Sequence, residues 1–114
     1  NVTYLSEANM ITCVLQTGLA EDVLDAAKNC GAQGATISYG RGTGIRERMG
    51  LLGVTIDEQK EVIRIIVSEE QADRVFEAMY LAGGLDTPGK GIMFMTKLDR
   101  VATYIPESVL KEIA

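Results

Sequence analysis

The chain has 114 residues, of which 46% are hydrophobic and 24% are charged. This length allows a single domain, residues 1–114, and this composition is typical of a globular protein that buries a core, not of a disordered tail. The net charge of −5 argues against binding of a nucleic-acid backbone, and the absence of histidine excludes imidazole-based catalysis and histidine-ligated zinc.

The first half of the chain predicts a strand, a helix and a second strand. Residues 10–16 alternate so that both faces of a strand are largely apolar, and we therefore expect this strand to be covered on both sides. Apolar residues recur at helical spacing over residues 19–30 and Gly31 supplies a stop, which together predict a helix. Residues 34–39 predict the second strand.

The second half of the chain predicts two further strands with a helix between them. Residues 61–67 are rich in β-branched side chains and give the strongest strand signal of the chain. Ser68 and Gln71 form a capping box that begins a helix, and a pair of glycines at 83–84 ends it. Residues 91–98 predict a fourth strand, and residues 101–105 are expected to extend the sheet before Pro106 begins a short helix.

The order β-α-β-β-α-β predicts an α+β fold of the ferredoxin-like type, in which two helices cover one face of a four-stranded antiparallel sheet. The other face would present apolar residues such as Val14, Ile66 and Met95. Since such a face is rarely left in water, we expect sister subunits to cover it in a closed homo-oligomer.

The connection between the second and third strands, residues 40–60, is far longer than the usual hairpin loop. It opens with alternating glycines and arginines, which offer backbone amides and forked cationic donors to an anion. Its later part is too apolar for a loop that only meets water. The loop either folds over its own domain or, as we favour, responds to an anion and docks on a partner. The candidate docking residues are Arg46, Arg48, Met49, Leu51, Leu52, Val54 and Ile56.

A second glycine-rich segment, residues 84–91, follows the second helix. Its pattern nearly matches the phosphate-binding loop of nucleoside triphosphatases. However, that loop is followed by a helix, whereas this segment is followed by a strand, so the assignment is excluded. Gly89 and Lys90 still combine an accessible backbone with a cation, which suits a phosphate group. The alternative interpretation is an ordinary turn.

Several other functions are not predicted. The carboxylates at Asp57, Glu58, Asp86 and Asp99 fit solvated loops, and no pair of them shares one helical face as a catalytic acid and base would. Aromatic residues make up only 5% of the chain, which argues against base stacking with nucleic acid.

The cysteine count and the length of the apolar runs indicate the cellular compartment of the protein. Cys13 and Cys30 are too few for a disulfide framework and are interpreted as small buried hydrophobes in a reducing environment. No apolar run approaches the roughly 18–20 residues of a membrane span, and the first residues lack the pattern of a signal peptide. We therefore expect a cytoplasmic protein.

Taken together, these segments resemble the P-II nitrogen regulatory proteins. The resemblance covers residues 10–101 and rests on the order of the elements, the long loop opened by Tyr39-Gly40-Arg41, Lys60 at its far end, and the turn over residues 87–90. It implies a homotrimer that binds an adenine nucleotide, ATP, ADP or AMP, in clefts between subunits. It also implies a T-loop, at about 40–60, that contacts a target transporter, enzyme or regulator of nitrogen or carbon metabolism. A membrane would be met only through a membrane-protein target.

The resemblance also implies the nucleotide-binding residues. The Gly-x-Thr stretch that begins at Gly34 would lie beside the adenine, and the residues from Gly40 would form the base of the T-loop. Lys60 would reach the γ-phosphate or 2-oxoglutarate, and residues 84–91 would form the phosphate-binding B-loop. The full set is Gly34, Ala35, Thr36, Gly40, Arg41, Gly42, Lys60, Thr87, Pro88, Gly89 and Lys90.

The chain also departs from the family pattern. Gly42 replaces a glutamine that helps to hold Mg-ATP and 2-oxoglutarate, Thr87-Pro88 replace the usual Gly-Asp, and the C-terminal phosphate-binding arginines are missing. The T-loop interior contains no tyrosine or serine for covalent modification. The resemblance thus implies a divergent, non-enzymatic nucleotide sensor and leaves Mg²⁺ and 2-oxoglutarate open. The alternative is a small ferredoxin-like enzyme or a metal-tolerance-type trimer, which would need a nucleophile or ligand set that this sequence does not display.

Overall fold

The computed structural model describes residues 4–5, 7–32, 34–42 and 58–102. Its elements in chain order are β1 (Tyr4–Leu5), β2 (Ala8–Gln16), α1 (Ala20–Asn29), β3 (Ala35–Gly42), β4 (Glu58–Ser68), α2 (Glu69–Ala82), β5 (Gly91–Leu98) and β6 (Val101–Ala102). The order from β2 to β5 confirms the β-α-β-β-α-β pattern expected from the sequence.

Strands β2 to β5 form one four-stranded sheet in the order β3-β4-β2-β5, and every neighbouring pair is antiparallel. Helices α1 and α2 pack against each other and on one face of this sheet. This arrangement is the ferredoxin-like α+β fold, and it confirms the predicted fold class.

The segment after β5 does not extend this sheet as predicted. Instead, Val101–Ala102 of β6 pairs with Tyr4–Leu5 of β1 in a separate two-stranded sheet. The chain leaves strand geometry at Asp99 and Arg100, so β6 departs from the edge of the main sheet and finds its backbone partners in the strand before β2. The rest of the predicted strand and the helix predicted from Pro106 lie outside the described residues.

The core lies between the sheet and the two helices. Side chains of β2 and β4 point into it at every second position, and the helices contribute one stripe each. The largest fully buried side chains are Ile11, Leu15, Ile63, Ile65, Met79, Val23, Val75 and Cys13.

Helix α2 begins at the serine that the sequence predicts, and the serine half of the capping box is present. Ser68 is its N-cap, and the Ser68 hydroxyl accepts a hydrogen bond of 3.3 Å from the backbone N–H of Gln71. The helix ends at Gly83, where a Cβ atom would meet the side chains of Val23 and Leu15 at 3.1 and 3.3 Å. This glycine therefore lets the end of α2 approach the sheet closely.

We call the sheet face opposite the helices the open face, because no described helix packs on it. Opposite residues of an antiparallel pair share a face. Val14 is opposite Val62 and Ile92, and Met10 is opposite Ile66, so the predictions for Val14 and Ile66 agree with this register.

The prediction for Met95 was wrong. Met95 is opposite the core residue Ile11 and therefore lies on the helix face of the sheet. The open-face positions of β5 are instead Ile92, Phe94 and Thr96, of which Ile92 and Phe94 are apolar and 61% and 47% exposed. The error is one residue of register, which in a strand moves a side chain to the other face.

Candidate functional site

The two glycine-rich segments meet at one end of the four-stranded sheet. Gly40 pairs with Lys60 across β3 and β4, and Lys60 pairs with Gln16 across β4 and β2. The backbone N–H of Gln16 donates a hydrogen bond of 3.3 Å to the carbonyl oxygen of Lys90. This row therefore joins the base of one loop to the end of the other over two strand spacings of about 4.8 Å each and one hydrogen bond.

The strand pairing at the base of the predicted T-loop extends further than the sequence suggested. Arg41 is opposite Gln59, and Gly42 is opposite Glu58, so both ends of the predicted loop at 40–60 belong to the β3–β4 ladder. The connection that joins the two strands is residues 43–57, which lie outside the described residues. The predicted docking residues in that connection are Arg46, Arg48, Met49, Leu51, Leu52, Val54 and Ile56, and they lie outside the described part as well.

The predicted B-loop is a compact turn held from within. The N–H and the hydroxyl of Thr87 both donate to the carbonyl oxygen of Gly84, at 2.9 and 2.5 Å. Gly84 and Gly89 have φ angles of 65° and 79°, a region that favours glycine. Pro88 and Gly89 are exposed and Lys90 is half-buried, so the turn is preformed and its glycine end is accessible.

The junction of this turn with β5 requires a glycine. A Cβ atom at Gly91 would collide with the carbonyl oxygen of Val14. Gly91 is opposite Leu15 in the sheet, and its missing side chain therefore lets the turn leave the sheet close to β2.

Glu61, which the sequence reading treated only as the start of a strand, fixes the same end of the sheet. Its side chain is 9% exposed, and its Oε1 atom accepts hydrogen bonds from the backbone N–H groups of Gly18 and Ala20 at the start of α1. Leu19, the N-cap of α1, provides no side-chain hydrogen bond. The carboxylate of Glu61 therefore takes the place of a local cap, next to Lys60 in the chain.

A signal for this contact was present in the sequence. Helix α1 follows Thr17-Gly18-Leu19, and the residue at the cap is apolar where Ser, Thr, Asp or Asn is usual. Such a helix start needs an acceptor from elsewhere, but the sequence does not say which strand supplies it. Thr17 adds a second tie, since its hydroxyl donates to the carbonyl oxygen of Gln59 at 2.9 Å.

The predicted Gly-x-Thr stretch lies apart from the two loops within one chain. Thr36 is opposite Arg64, and Ala35 is opposite Ile65, so they occupy different faces of the sheet, while Gly34 precedes β3. Thr36 and Gly40 are four positions apart along β3, which corresponds to about 13 Å. The structure thus gathers Gly40, Arg41, Gly42, Lys60, Gly89 and Lys90 at one end of the sheet, with Thr87 and Pro88 in the adjoining turn, and leaves the stretch at 34–36 away from them.

The cysteines carry no sign of reactivity. Burial raises the pKa of the Cys13 thiol to about 12, above its ordinary value near 9, so this thiol stays protonated at neutral pH. Cys30 is half-buried and packs against the core. Within the described residues, no group of three or more carboxylate or cysteine side chains is arranged to hold a metal ion. Neither α1 nor α2 has the length and apolar content that a membrane span requires.

Comparisons with known proteins place this geometry in context. The sequence model of the family described as nitrogen regulatory protein P-II matches residues 8–107. Among solved structures, the chain is similar to the crystal structure of Arabidopsis thaliana PII bound to citrate, with a TM-score of 0.63 and 19% sequence identity over 82% of this chain and 79% of that chain. At this identity, the structural likeness concerns the fold. No curated protein sequence matches the chain.

Proposed function

Since the chain belongs to the P-II family of nitrogen regulatory proteins, we propose that it senses an adenine nucleotide in clefts between the subunits of a homotrimer. The T-loop then passes the state of that site to a target protein. P-II family proteins are regulatory signal transducers, and we assign the chain a signalling role without a catalytic step. The observation that carries the proposal is the meeting of the T-loop base and the B-loop at one end of the sheet.

The chemistry of that end suits a phosphate chain. Lys60 and Lys90 bring two cations to a single row of backbone partners, and Arg41 lies one position beyond Gly40 on β3. Gly89 offers exposed backbone beside Lys90. Phosphates are bound by such combinations of cationic donors and accessible backbone N–H groups. In this proposal the binding set at this end is Gly40, Arg41, Gly42, Lys60, Thr87, Pro88, Gly89 and Lys90.

The position of the Gly-x-Thr stretch supports a site shared between subunits. Gly34, Ala35 and Thr36 would contact the adenine, but even Thr36, the nearest of them, lies about 13 Å along β3 from Gly40. A neighbouring subunit can supply this stretch to a nucleotide whose phosphates rest on the B-loop. The open face, with Ile66, Ile92 and Phe94 exposed at 49%, 61% and 47%, is the surface that a trimer would cover.

The proposed output runs through the T-loop. Its apolar group and its arginines, residues 46–56, would dock on a target transporter, enzyme or regulator in the cytoplasm, and a membrane would be involved only through such a target. ATP, ADP and AMP are the candidate ligands. The solved relative is bound to citrate, so an anionic metabolite is a candidate effector here too.

A thermal-shift series with ATP, ADP and AMP tests the nucleotide site, because a ligand that binds only the folded state raises the melting temperature. Lys90→Ala should weaken nucleotide binding by about 1.5–3 kcal/mol, the range for a hydrogen bond to a charged group. The control is Lys97→Ala, which removes an equal charge from an exposed position of β5. If no nucleotide stabilises the protein, the proposed site is wrong. The same conclusion follows if Lys90→Ala binds nucleotide as tightly as the parent and the Lys97→Ala control do.

A further inference from the structure

A groove lies between α2 and β5 on the helix side of the sheet, and we call it the α2–β5 groove. Helix α2 packs on β2 and β4, so the edge strand β5 projects beyond the helix layer. The groove has a volume of about 280 Å³, which suits a few aliphatic side chains better than a large ligand. Its lining is mostly apolar and consists of Phe76, Tyr80, Leu85, Gly91, Ile92 and Met93.

The groove belongs to a surface that the fold of one chain leaves uncovered. Met95 of β5 lies on the helix face, yet it is 39% exposed, and Tyr80 of α2 is 37% exposed. Both side chains are on the side of the sheet that carries the helices. Contact between open faces in the proposed trimer therefore does not cover them.

A predicted element outside the described residues has an apolar side of matching kind. The sequence predicts a helix from Pro106 to Ile113, and apolar residues recur at i+3, i+4 and i+7 from its first position. These residues are Val109, Leu110 and Ile113. A helix as short as this is marginal in water by itself, so it needs a surface on which to pack.

This helix does not fit into the groove of its own subunit. Strand β5 leads away from the groove, and β6 continues in the register of the β2–β5 pair. Ala102 therefore lies about 30 Å from Met93. The four residues that lead to Pro106 span at most about 14 Å, which leaves the start of the helix about 16 Å short of the groove.

A neighbouring subunit can bring the helix to the groove. The proposed function has that neighbour supply Gly34–Thr36 to a nucleotide on the B-loop. These residues begin β3 at the end of the sheet where Leu98 ends β5, three strand spacings or about 14 Å away. The B-loop residue Leu85 also lines the groove. The neighbour that meets the B-loop therefore carries its own residues 103–114 towards the groove.

We propose that the predicted helix 106–113 of one subunit docks in the α2–β5 groove of its neighbour. Its apolar side, with Leu110 in the middle of the helix, fills the groove, and its polar side faces water. The contact covers Tyr80 and ties each subunit to the next on the outer side of the sheets. The proposal rests on the trimer of the proposed function but not on its nucleotide.

The fluorescence of a single tryptophan tests this contact, because the chain contains no tryptophan of its own. Tyr80→Trp places the reporter in the groove of the full chain. We expect Leu110→Asp in this background to shift the emission to longer wavelength and to increase quenching by acrylamide at least twofold, because the groove is then open to water. Ser108→Asp adds the same charge on the polar side of the helix and should leave the emission unchanged. Emission that Leu110→Asp does not change, or equal shifts from both aspartates, would overturn the proposal.

A second reporter tests the position of the contact. Leu81→Trp places the tryptophan at the next residue of α2, which is 60% exposed and does not line the groove. Leu110→Asp should leave the emission of this reporter unchanged. If both reporters respond alike, the helix does not dock specifically in the groove, and the assignment is wrong.

Mixed trimers test whether the helix comes from a neighbouring subunit. Chains that carry both Tyr80→Trp and Leu110→Asp are refolded from urea together with parent chains, and native mass spectrometry confirms that mixed trimers form. We expect the emission to return towards that of Tyr80→Trp alone, because the parent's residues 106–113 then reach the reporter subunits. Unchanged emission in confirmed mixed trimers would overturn the proposal, as would light scattering that shows only monomers.

Failure of this contact and failure of the nucleotide site give different results. If the Tyr80→Trp reporter is shielded in a trimer that no nucleotide stabilises, the contact stands and the nucleotide site is wrong. If nucleotides stabilise a trimer in which Leu110→Asp does not change the reporter, only the contact is wrong.

Discussion

The two faces of the four-stranded sheet use neighbouring residues of the same strands for different purposes. On the helix face, Ile63 and Ile65 of β4 are 0% and 1% exposed, whereas Ile66 on the open face is 49% exposed. The helix face is packed, and the buried carboxylate of Glu61 on it accepts hydrogen bonds from the backbone at the start of α1. The open face retains exposed apolar side chains, and among the described residues the Thr12 hydroxyl on it has no hydrogen-bond partner. The difference indicates that one face maintains the fold of a single chain and that the other is available for association and binding.

The most direct test of this comparison replaces one isoleucine on each face by alanine. Ile63→Ala should lower the free energy of unfolding by about 2–5 kcal/mol, because it removes a fully buried side chain and leaves a cavity. Ile66→Ala should cost the isolated subunit far less. Urea denaturation of both variants, at a protein concentration at which light scattering shows separate subunits, measures the two losses, and equal losses there would show that the open face of the single chain is as tightly packed as the core.

A second substitution addresses association through the open face. Phe94→Ser should weaken the oligomer by about 1.5–3 kcal/mol per subunit, the value for burying a large apolar side chain. The control is Met95→Ser, the next residue along β5, which lies on the helix face. Light scattering against protein concentration measures the effect. If the oligomer is unchanged in Phe94→Ser but dissociates in Met95→Ser, the interface lies on the helix face and not on the open face.

The buried carboxylate on the helix face gives a smaller effect. Glu61→Ala should lower the free energy of unfolding by about 1–2 kcal/mol, because the first N–H groups of α1 lose their acceptor. Glu61→Gln keeps an acceptor oxygen and should lose less. The control is Glu70→Ala, which removes an exposed carboxylate. Thermal unfolding measures the stability of all three variants. If Glu70→Ala loses as much stability as Glu61→Ala, the hydrogen bonds of Glu61 to the start of α1 contribute nothing of their own.

The smallest expected effect concerns Cys13 at high pH. The folded state keeps this thiol protonated up to about pH 12, whereas the unfolded chain releases the proton near pH 9. The stabilisation is therefore fully present below pH 9 and is lost as the pH rises towards 12. Between pH 8 and pH 10 the loss should reach about 1.4 kcal/mol.

Cys13→Ala isolates this contribution from the lysines and tyrosines that titrate in the same range. The gap in unfolding free energy between parent and variant should stay constant below pH 8 and shift against the parent above pH 9. A constant gap up to pH 10 would show that the thiol is reached by solvent in the folded state.

The sequence predicted most of the local structure and little of the long-range structure. Helix starts and strand positions follow from near neighbours, as with Ser68 and Gln71, and the structure confirms that cap. The face of Met95 depended on the pairing of β5 with β2, which the residues near Met95 do not encode. The pairing of β6 with β1 joins the two ends of the described chain, so no local pattern reveals it.

The same distinction between local and long-range structure applies to the candidate site. The glycines, the arginine and the lysine at 40–42 and 89–90 were found by their types and spacing, and Lys60 was found through the family resemblance. That the two loops meet depends on Gln16, which no motif marks. The contact of Glu61 with α1 spans 41 residues in the chain. Thr12 was read as one member of an apolar strand, since an unsatisfied hydroxyl is visible only when its neighbours are placed.

Gln16 connects the two loops through the end of a single strand. It pairs with Lys60 on one side and donates to the carbonyl oxygen of Lys90 on the other, so a displacement at either loop must be accommodated by the other or by this residue. Under the proposed function, a nucleotide on the B-loop and a target on the T-loop would share this element. Thermodynamic reciprocity then applies: whatever factor the nucleotide applies to the affinity of the target, the target applies to the affinity of the nucleotide. A nucleotide that strengthens target binding would therefore itself be bound more tightly in the complex than in the free protein, and a nucleotide that weakens target binding would be bound less tightly there.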